Sequence, residues 1–220
     1  APDSQIVANG NLITSRYIRK IPNMSWKQYD YIKCEKCNTL NIEPHTEEDE
    51  FSGLNSCKQC GDLFNAASRK VFLIPQFGFE ADGDAIRKPG LIKPERTYRG
   101  EIAYVGYVNG IEMHEYLIGR SKLEIGMSQS DEMAVLNESN FFVCQYCGYT
   151  VLDNKEFKKI IHKRHRSPSG CWCYNDGKNI LKKYALGYRF ETDVVQLRFL
   201  NPDLSEWEIG LSVLYGVLRG

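Results

Sequence analysis

Eight cysteines constrain this 220-residue chain more than any other feature. They stand at positions 34, 37, 57, 60, 144, 147, 171 and 173, as three Cys-x-x-Cys pairs and one Cys-x-Cys. A Cys-x-x-Cys turn delivers two thiolates from one tight loop, and a tetrahedral soft metal wants four ligands. This spacing is poor for a secreted disulfide framework and good for metal. No basic segment followed by an apolar one opens the chain as a secretion signal would. Reduced thiolates in a cytoplasmic protein, holding two structural zinc ions, are therefore expected.

The first site is complete within the amino-terminal third. Cys34 and Cys37, nineteen intervening residues, then Cys57 and Cys60 make a four-thiolate set within the zinc-ribbon range. Gly61 follows the second knuckle, where the turn often needs a positive φ. A redox-active Cys-x-x-Cys is the weaker reading, because four thiolates at ribbon spacing are more than it needs. His45, in the acidic stretch between the knuckles, has no role in a set already filled.

The second site is less determined. Cys144 and Cys147 supply two ligands, and the others come from His162, His165, Cys171 and Cys173. Cys171 with Cys173 requires a tight Cys-x-Cys chelate; His165 with Cys173 spans a Ser-Pro-Ser-Gly turn and leaves Cys171 free. Spacing leaves these two solutions even. In either, the coordination sphere is full, whereas catalytic zinc keeps an open position. Binding energy at such a site is folding energy.

Charge is where composition enters. The chain is formally neutral, but residues 144–190 carry ten Lys and Arg against three Asp and Glu. Most lie in the run 155–166, with Lys155, Lys158, Lys159, Lys163, Arg164 and Arg166 against Glu156 alone. A cationic loop beside a metal-stapled turn suits a nucleic-acid backbone; the plainer reading is a solubilising loop. Trp172 and Tyr174 offer base-stacking surface, although the Trp is expected to pack beside the metal.

Elsewhere the pattern is β. Asn9-Gly10 between apolar runs predicts a hairpin with strands at about 5–8 and 12–19. Val71 to Ile74 is a short buried run; alternation around the turn Asn109-Gly110 continues β structure to about residue 128. Ser130-Asp131-Glu132 reads as a surface turn. Lys88, Lys93, Arg96 and Arg99 read as a hydrated loop. Ser205 and Glu208 form a capping box before Trp207, Leu211, Leu214, Tyr215 and Leu218, an amphipathic helix with a core-facing stripe. The expected fold is α+β, mainly β, with two zinc-binding subregions around antiparallel strands and a C-terminal amphipathic helix. It divides into a zinc-ribbon-like region 1–68, a β-rich region 69–142 and a zinc-binding domain 143–220. No run of eighteen apolar residues exists to span a membrane.

Three motifs of this chain together resemble the MrfA-like zinc-binding domain: Cys144-x-x-Cys147-Gly148; His165-Arg-Ser-Pro-Ser-Gly170-x-x-Cys173; and Leu186-Gly187-Tyr188-Arg189-Phe190-x-Thr192-Asp193-Val194-x-x-Leu197. That domain ends many large bacterial superfamily 2 helicases and some phage-defence proteins. The resemblance is specific over 140–218 and looser over 1–75. It implies zinc ligands at Cys144, Cys147, His165 and Cys173. It also implies a parent that moves along DNA using ATP in anti-phage defence or DNA repair, with the remaining helicase polypeptide and defence-system subunits as partners. Two departures stand out. No Gly-x-x-x-x-Gly-Lys-Ser/Thr phosphate loop is present, so ATP hydrolysis by that route is not expected of this segment. The chain also opens on Ala1 and stops within the expected helix, and so reads as an excerpt of a longer polypeptide. Its expected role is a non-catalytic, DNA-contacting accessory module; a protein-interaction scaffold is the alternative.

Overall fold

A computed structural model describes residues 2–46, 53–81, 86–91, 100–105, 112–118, 121–152, 165–173, 181–200, 210–213 and 215–216. Asn9 and Gly10 both take positive φ, 50° and 69°, as a two-residue hairpin turn requires. They join β1 (Gln5–Ala8) to β2 (Asn11–Ile18), in register from Gln5 opposite Thr14 to Ala8 opposite Asn11. On its other edge β2 pairs with β6 (Phe79–Ala81), completing a three-stranded sheet.

A second sheet has eight strands. Its main path runs β10-β9-β13-β5-β3-β4, with β7 and β8 also paired to β9. These strands are β3 (Lys27–Lys33), β4 (Leu40–Pro44), β5 (Lys70–Ile74), β7 (Glu101–Tyr104), β8 (His114–Ile118), β9 (Ser121–Cys144), β10 (Thr150–Leu152) and β13 (Leu181–Leu200). Between the last two lies a small hairpin, β11 (His165–Arg166) and β12 (Trp172–Cys173). β3 is antiparallel to both its neighbours, while β13 lies parallel to β5. The molecule is mainly β; residues 210–213 and 215–216 are helical.

β5 shows why a short apolar run becomes a central strand. Successive side chains point to opposite faces, and here both faces are covered. Leu73 packs with Ile18, Trp26, Phe141, Val143, Tyr184 and Leu186. Phe72 packs on the other side with Tyr31, Leu40, Ile42, Ala134, Leu136 and Ala185. A strand buried on both faces reads as continuous hydrophobicity. Gly187 belongs to this core for a steric reason. A Cβ there would lie 2.5 Å from Leu136 Cδ2 and 2.7 Å from the Val135 carbonyl oxygen.

Contacts divide the chain into two units, 1–105 with 133–190 and 106–132 with 191–220. Each of the segments 1–68, 69–142 and 143–220 contributes to the first. In the second, β8 folds back on β9 from His114 opposite Ile125 to Ile118 opposite Ser121, leaving two residues between the strands. Arg198 pairs with Glu124 at 3.0 Å there, and Lys122 with Glu115 at 2.6 Å.

Three expectations change. Ser130-Asp131-Glu132 is no turn: it lies within β9, Asp131 is buried, and Ser130 Oγ is 3.2 Å from Glu191 Oε2. Polar residues read as a turn here because the group that Ser130 meets, the Glu191 carboxylate, is distant in sequence. The described part of the C-terminal stripe is not core: Leu211 and Tyr215 are exposed. Trp172, expected to pack beside the metal, is 41% exposed. Ser205, Trp207, Glu208, Leu214, Leu218, the Asn109-Gly110 turn and most of the 88–99 loop lie outside the described residues.

Candidate metal centres

Three loops repeat one backbone design. In each Cys-x-x-Cys, the N–H of the residue after the second cysteine closes on the carbonyl of the first. Asn38 donates to Cys34, Gly61 to Cys57 and Gly148 to Cys144, all at 2.9 Å. The first cysteine's own N–H donates onward to the carbonyl of Thr39, Asp62 or Tyr149. Closing that short ring requires a left-handed residue, and Asn38, Gly61 and Gly148 have φ of 58°, 73° and 76°. Two of these knuckles are the turns of hairpins: 34–39 joins β3 to β4, and 144–149 joins β9 to β10.

The knuckles assemble two clusters, Cys34, Cys37, Cys57 and Cys60, and Cys144, Cys147, His165 and Cys173. Within each, all four ligand atoms lie within 4.8 Å of one another. Cys34 Sγ is 3.6 Å from Cys60 Sγ, and Cys37 Sγ is 3.5 Å from Cys57 Sγ. Four sulfurs at about 2.3 Å from a shared zinc-sized ion would stand about 3.8 Å apart, so the spacing fits a tetrahedral ion. It is far from a disulfide, near about 2.05 Å, and all eight cysteines are free. In the second cluster Cys147 Sγ lies 3.3 Å from His165 Nε2. Both clusters could hold a metal ion.

Strand pairing selects the second cluster's members. His165 and Cys173 stand directly opposite each other across β11 and β12, so their side chains share one face. Cys171 sits in the intervening loop and is exposed. The loop closes by bonds from Ser167 N–H to the Cys171 carbonyl and from Gly170 N–H to the Ser167 carbonyl. His45 Nδ1 faces the buried Asp30 carboxylate at 3.0 Å, outside both clusters.

Surrounding groups hold the ligands in place. Asn41, 2% exposed, donates its amide to Cys57 Sγ at 3.6 Å and to the Thr39 carbonyl at 3.2 Å, and accepts from Lys58 N–H. At the second cluster Tyr149 stacks on the His165 ring with centroids 4.5 Å apart, and Tyr17 meets Tyr149 edge-on. Tyr17 also donates its hydroxyl to the Arg166 carbonyl at 3.0 Å. Nothing in the sequence marks Asn41, Tyr149 and Tyr17 for this role, because they meet the cluster residues only on folding. Asn38 had a readable signal: it stands where Gly61 and Gly148 stand in the other knuckles.

The thiols are biased apart. Burial pushes the Cys57 thiol up, but the N–H groups of Cys60 and Gln59, the Asn41 amide and Cys37 outweigh it and bring it down to about 6. At Cys144 the Cys147 thiol has the largest effect. With His165 and the N–H groups of Cys147 and Tyr146 it overcomes burial and brings Cys144 down to about 4. Cys60 is drawn down by the Asp62 N–H, yet burial and the sulfurs of Cys34, Cys37 and Cys57 prevail and push it up to about 12. Cys147 is raised, first by Cys144 and then by burial, and Cys173 is raised by burial. The shifts favour the thiolate at Cys57 and Cys144 and the protonated sulfur at Cys60 and Cys147, whose protons a dication would displace.

Of the expected nucleic-acid residues, Arg166 lies on β11; Lys155, Lys158, Lys159, Lys163 and Arg164 lie outside the described residues. Among the described residues no helix is long and apolar enough to cross a membrane. No family model, no curated protein and no solved structure matches the chain.

Proposed function

We propose that this chain is a zinc-stabilised, DNA-contacting accessory module of a large bacterial ATP-dependent helicase acting in the cytoplasm in anti-phage defence or DNA repair. The observation that carries the reading is the grouping of Cys144, Cys147, His165 and Cys173, the ligand set of the domain this segment resembles. Zinc is the favoured ion because tetrahedral sets of four thiolates, or of three thiolates and one imidazole, suit it. With four ligands each, both ions are structural. In sequence the cationic run 155–166 leads directly into the second cluster's hairpin.

Salt-dependent DNA binding tests the reading. Phosphate contacts make log K fall linearly with log salt. Joint replacement of Lys158, Lys159, Lys163 and Arg164 by Ala is expected to weaken binding and flatten that slope. Unchanged affinity would overturn the DNA role.

A protein-interaction scaffold within a defence complex is favoured by a different observation. In the second unit Tyr116, Leu117, Met127 and Val195 are all exposed, Leu117 by 75%. Absence of any salt-dependent DNA binding, with co-purification of a helicase subunit, would select this reading.

A further inference from the structure

We infer that the outer face of the β11–β12 hairpin is a stacking platform for unpaired nucleobases, so that the ligand is single-stranded nucleic acid. The inference rests on the nucleic-acid reading above and adds the form of the strand.

The hairpin has two faces with different chemistry. His165 and Cys173 occupy one and are committed to the metal cluster. Their neighbours Arg166 and Trp172 are also directly opposed, one residue along, and alternation sends them to the other face. There the Arg166 guanidinium lies 4.8 Å from the Trp172 ring centre. Trp172 is 41% exposed, whereas His165 is 7% exposed. A second aromatic ring stands beside the same cluster: Tyr146, 68% exposed, immediately precedes Cys147 as Trp172 immediately precedes Cys173. The Lys20 ammonium reaches the carbonyl of Gln145 in that same knuckle.

Two exposed rings and two cations thus flank one four-ligand cluster. The backbone beneath Trp172 is restrained, because each strand of the hairpin carries a cluster residue and the Tyr17 hydroxyl holds the Arg166 carbonyl. Every base has a π-face, and stacking on an aromatic side chain contributes about 1–3 kcal/mol per base. In a duplex those faces are already covered by neighbouring bases. The rings therefore favour an unpaired strand, while Arg166 and Lys20 meet its phosphates.

The test compares a fluorescent oligothymidylate of about 16 nucleotides, the upper end of a single-strand site, with a duplex of equal length. Wild type, Trp172→Ala and Trp172→Phe are titrated, with metal content read for each. The expected result is a loss of roughly 5- to 150-fold in oligothymidylate affinity for Trp172→Ala, duplex affinity unchanged, and most affinity kept by Trp172→Phe. Oligothymidylate is also expected to quench tryptophan emission in wild type and to lose most of that quench in Trp172→Phe, a readout independent of the Ala variant's folding. Equal losses on both probes, no loss on either, or an undiminished quench overturn the inference while leaving DNA contact in place. Wild type that binds neither probe overturns both.

Discussion

Gly148 is the residue on which the Cys144–Cys147 knuckle and the core meet. Its φ is 76°, and a Cβ would be driven into the carbonyl oxygen of Ile18; its own carbonyl accepts from Ile18 N–H at 2.8 Å. Gly61 has the same backbone conformation, φ 73°, but a Cβ there would meet nothing within 4 Å. Left-handed backbone costs an L-residue about 1–2 kcal/mol. Gly61→Ala is thus expected to lose about that much in denaturant unfolding. Gly148→Ala is expected to lose distinctly more, because strain is joined by a backbone collision. Equal losses would remove the steric account. Asn41 makes a second residue-scale case. Replacing it with Ala deletes a donor to Cys57 Sγ and strands the Lys58 N–H. Loss of a group that orients a ligand typically costs roughly 10- to 100-fold in metal affinity, measurable by competition with a chromophoric chelator.

At the scale of elements, the hairpin decides which side chains join the second cluster. β11 and β12 have only two residues each, yet their register puts His165 opposite Cys173 and leaves Cys171 in the loop. Cys171→Ser is therefore expected to keep two metal ions per chain by native mass spectrometry. Cys173→Ser and Cys34→Ser are each expected to lose one. Retention of both ions by Cys173→Ser would refute the assignment. Spacing alone could not separate Cys171 from His165, because both lie within reach of Cys173 along the chain and only cross-strand pairing chooses between them. The β1–β2 hairpin is the opposite case. Asn9-Gly10 contains its own turn chemistry, so the element is legible before any tertiary contact exists. β9 again differs: its polar centre at Ser130, Asp131 and Glu132 looks like a turn until partners far along the chain are known.

For the whole molecule, metal binding and protonation are linked. The thiols of Cys57 and Cys144 are held low, at about 6 and about 4, whereas those of Cys60 and Cys147 are held high. A group with a depressed folded-state value contributes stability that is present above its unfolded value, ordinarily about 8.5 for a thiol, and lost as pH falls through the folded one. Without metal, that contribution therefore disappears on acidification, through about 6 at the first cluster and about 4 at the second. The raised thiols act with the opposite sign and keep protons at neutral pH. Loading with zinc at neutral pH must expel them. Calorimetry in buffers of different ionisation enthalpy is expected to show release of about one proton or more per site, with apparent affinity falling as pH falls. Binding without proton release would contradict the paired arrangement of the thiols.

The sequence by itself determined the three knuckles, their first-cluster grouping, the amino-terminal hairpin and the predominance of β structure. Each of these is closed by contacts within a few residues or follows from a cysteine spacing suited to a metal or an apolar pattern suited to a sheet. The tertiary structure alone decided the partner strands of β9 and β13, the choice of His165 over Cys171, the support given by Asn41 and Tyr149, and the outward face of Trp172. Those depend on which distant strands lie side by side. Burial on both faces of β5 and direct opposition across β11 and β12 are properties of pairing, and pairing is not written in any local stretch of chain.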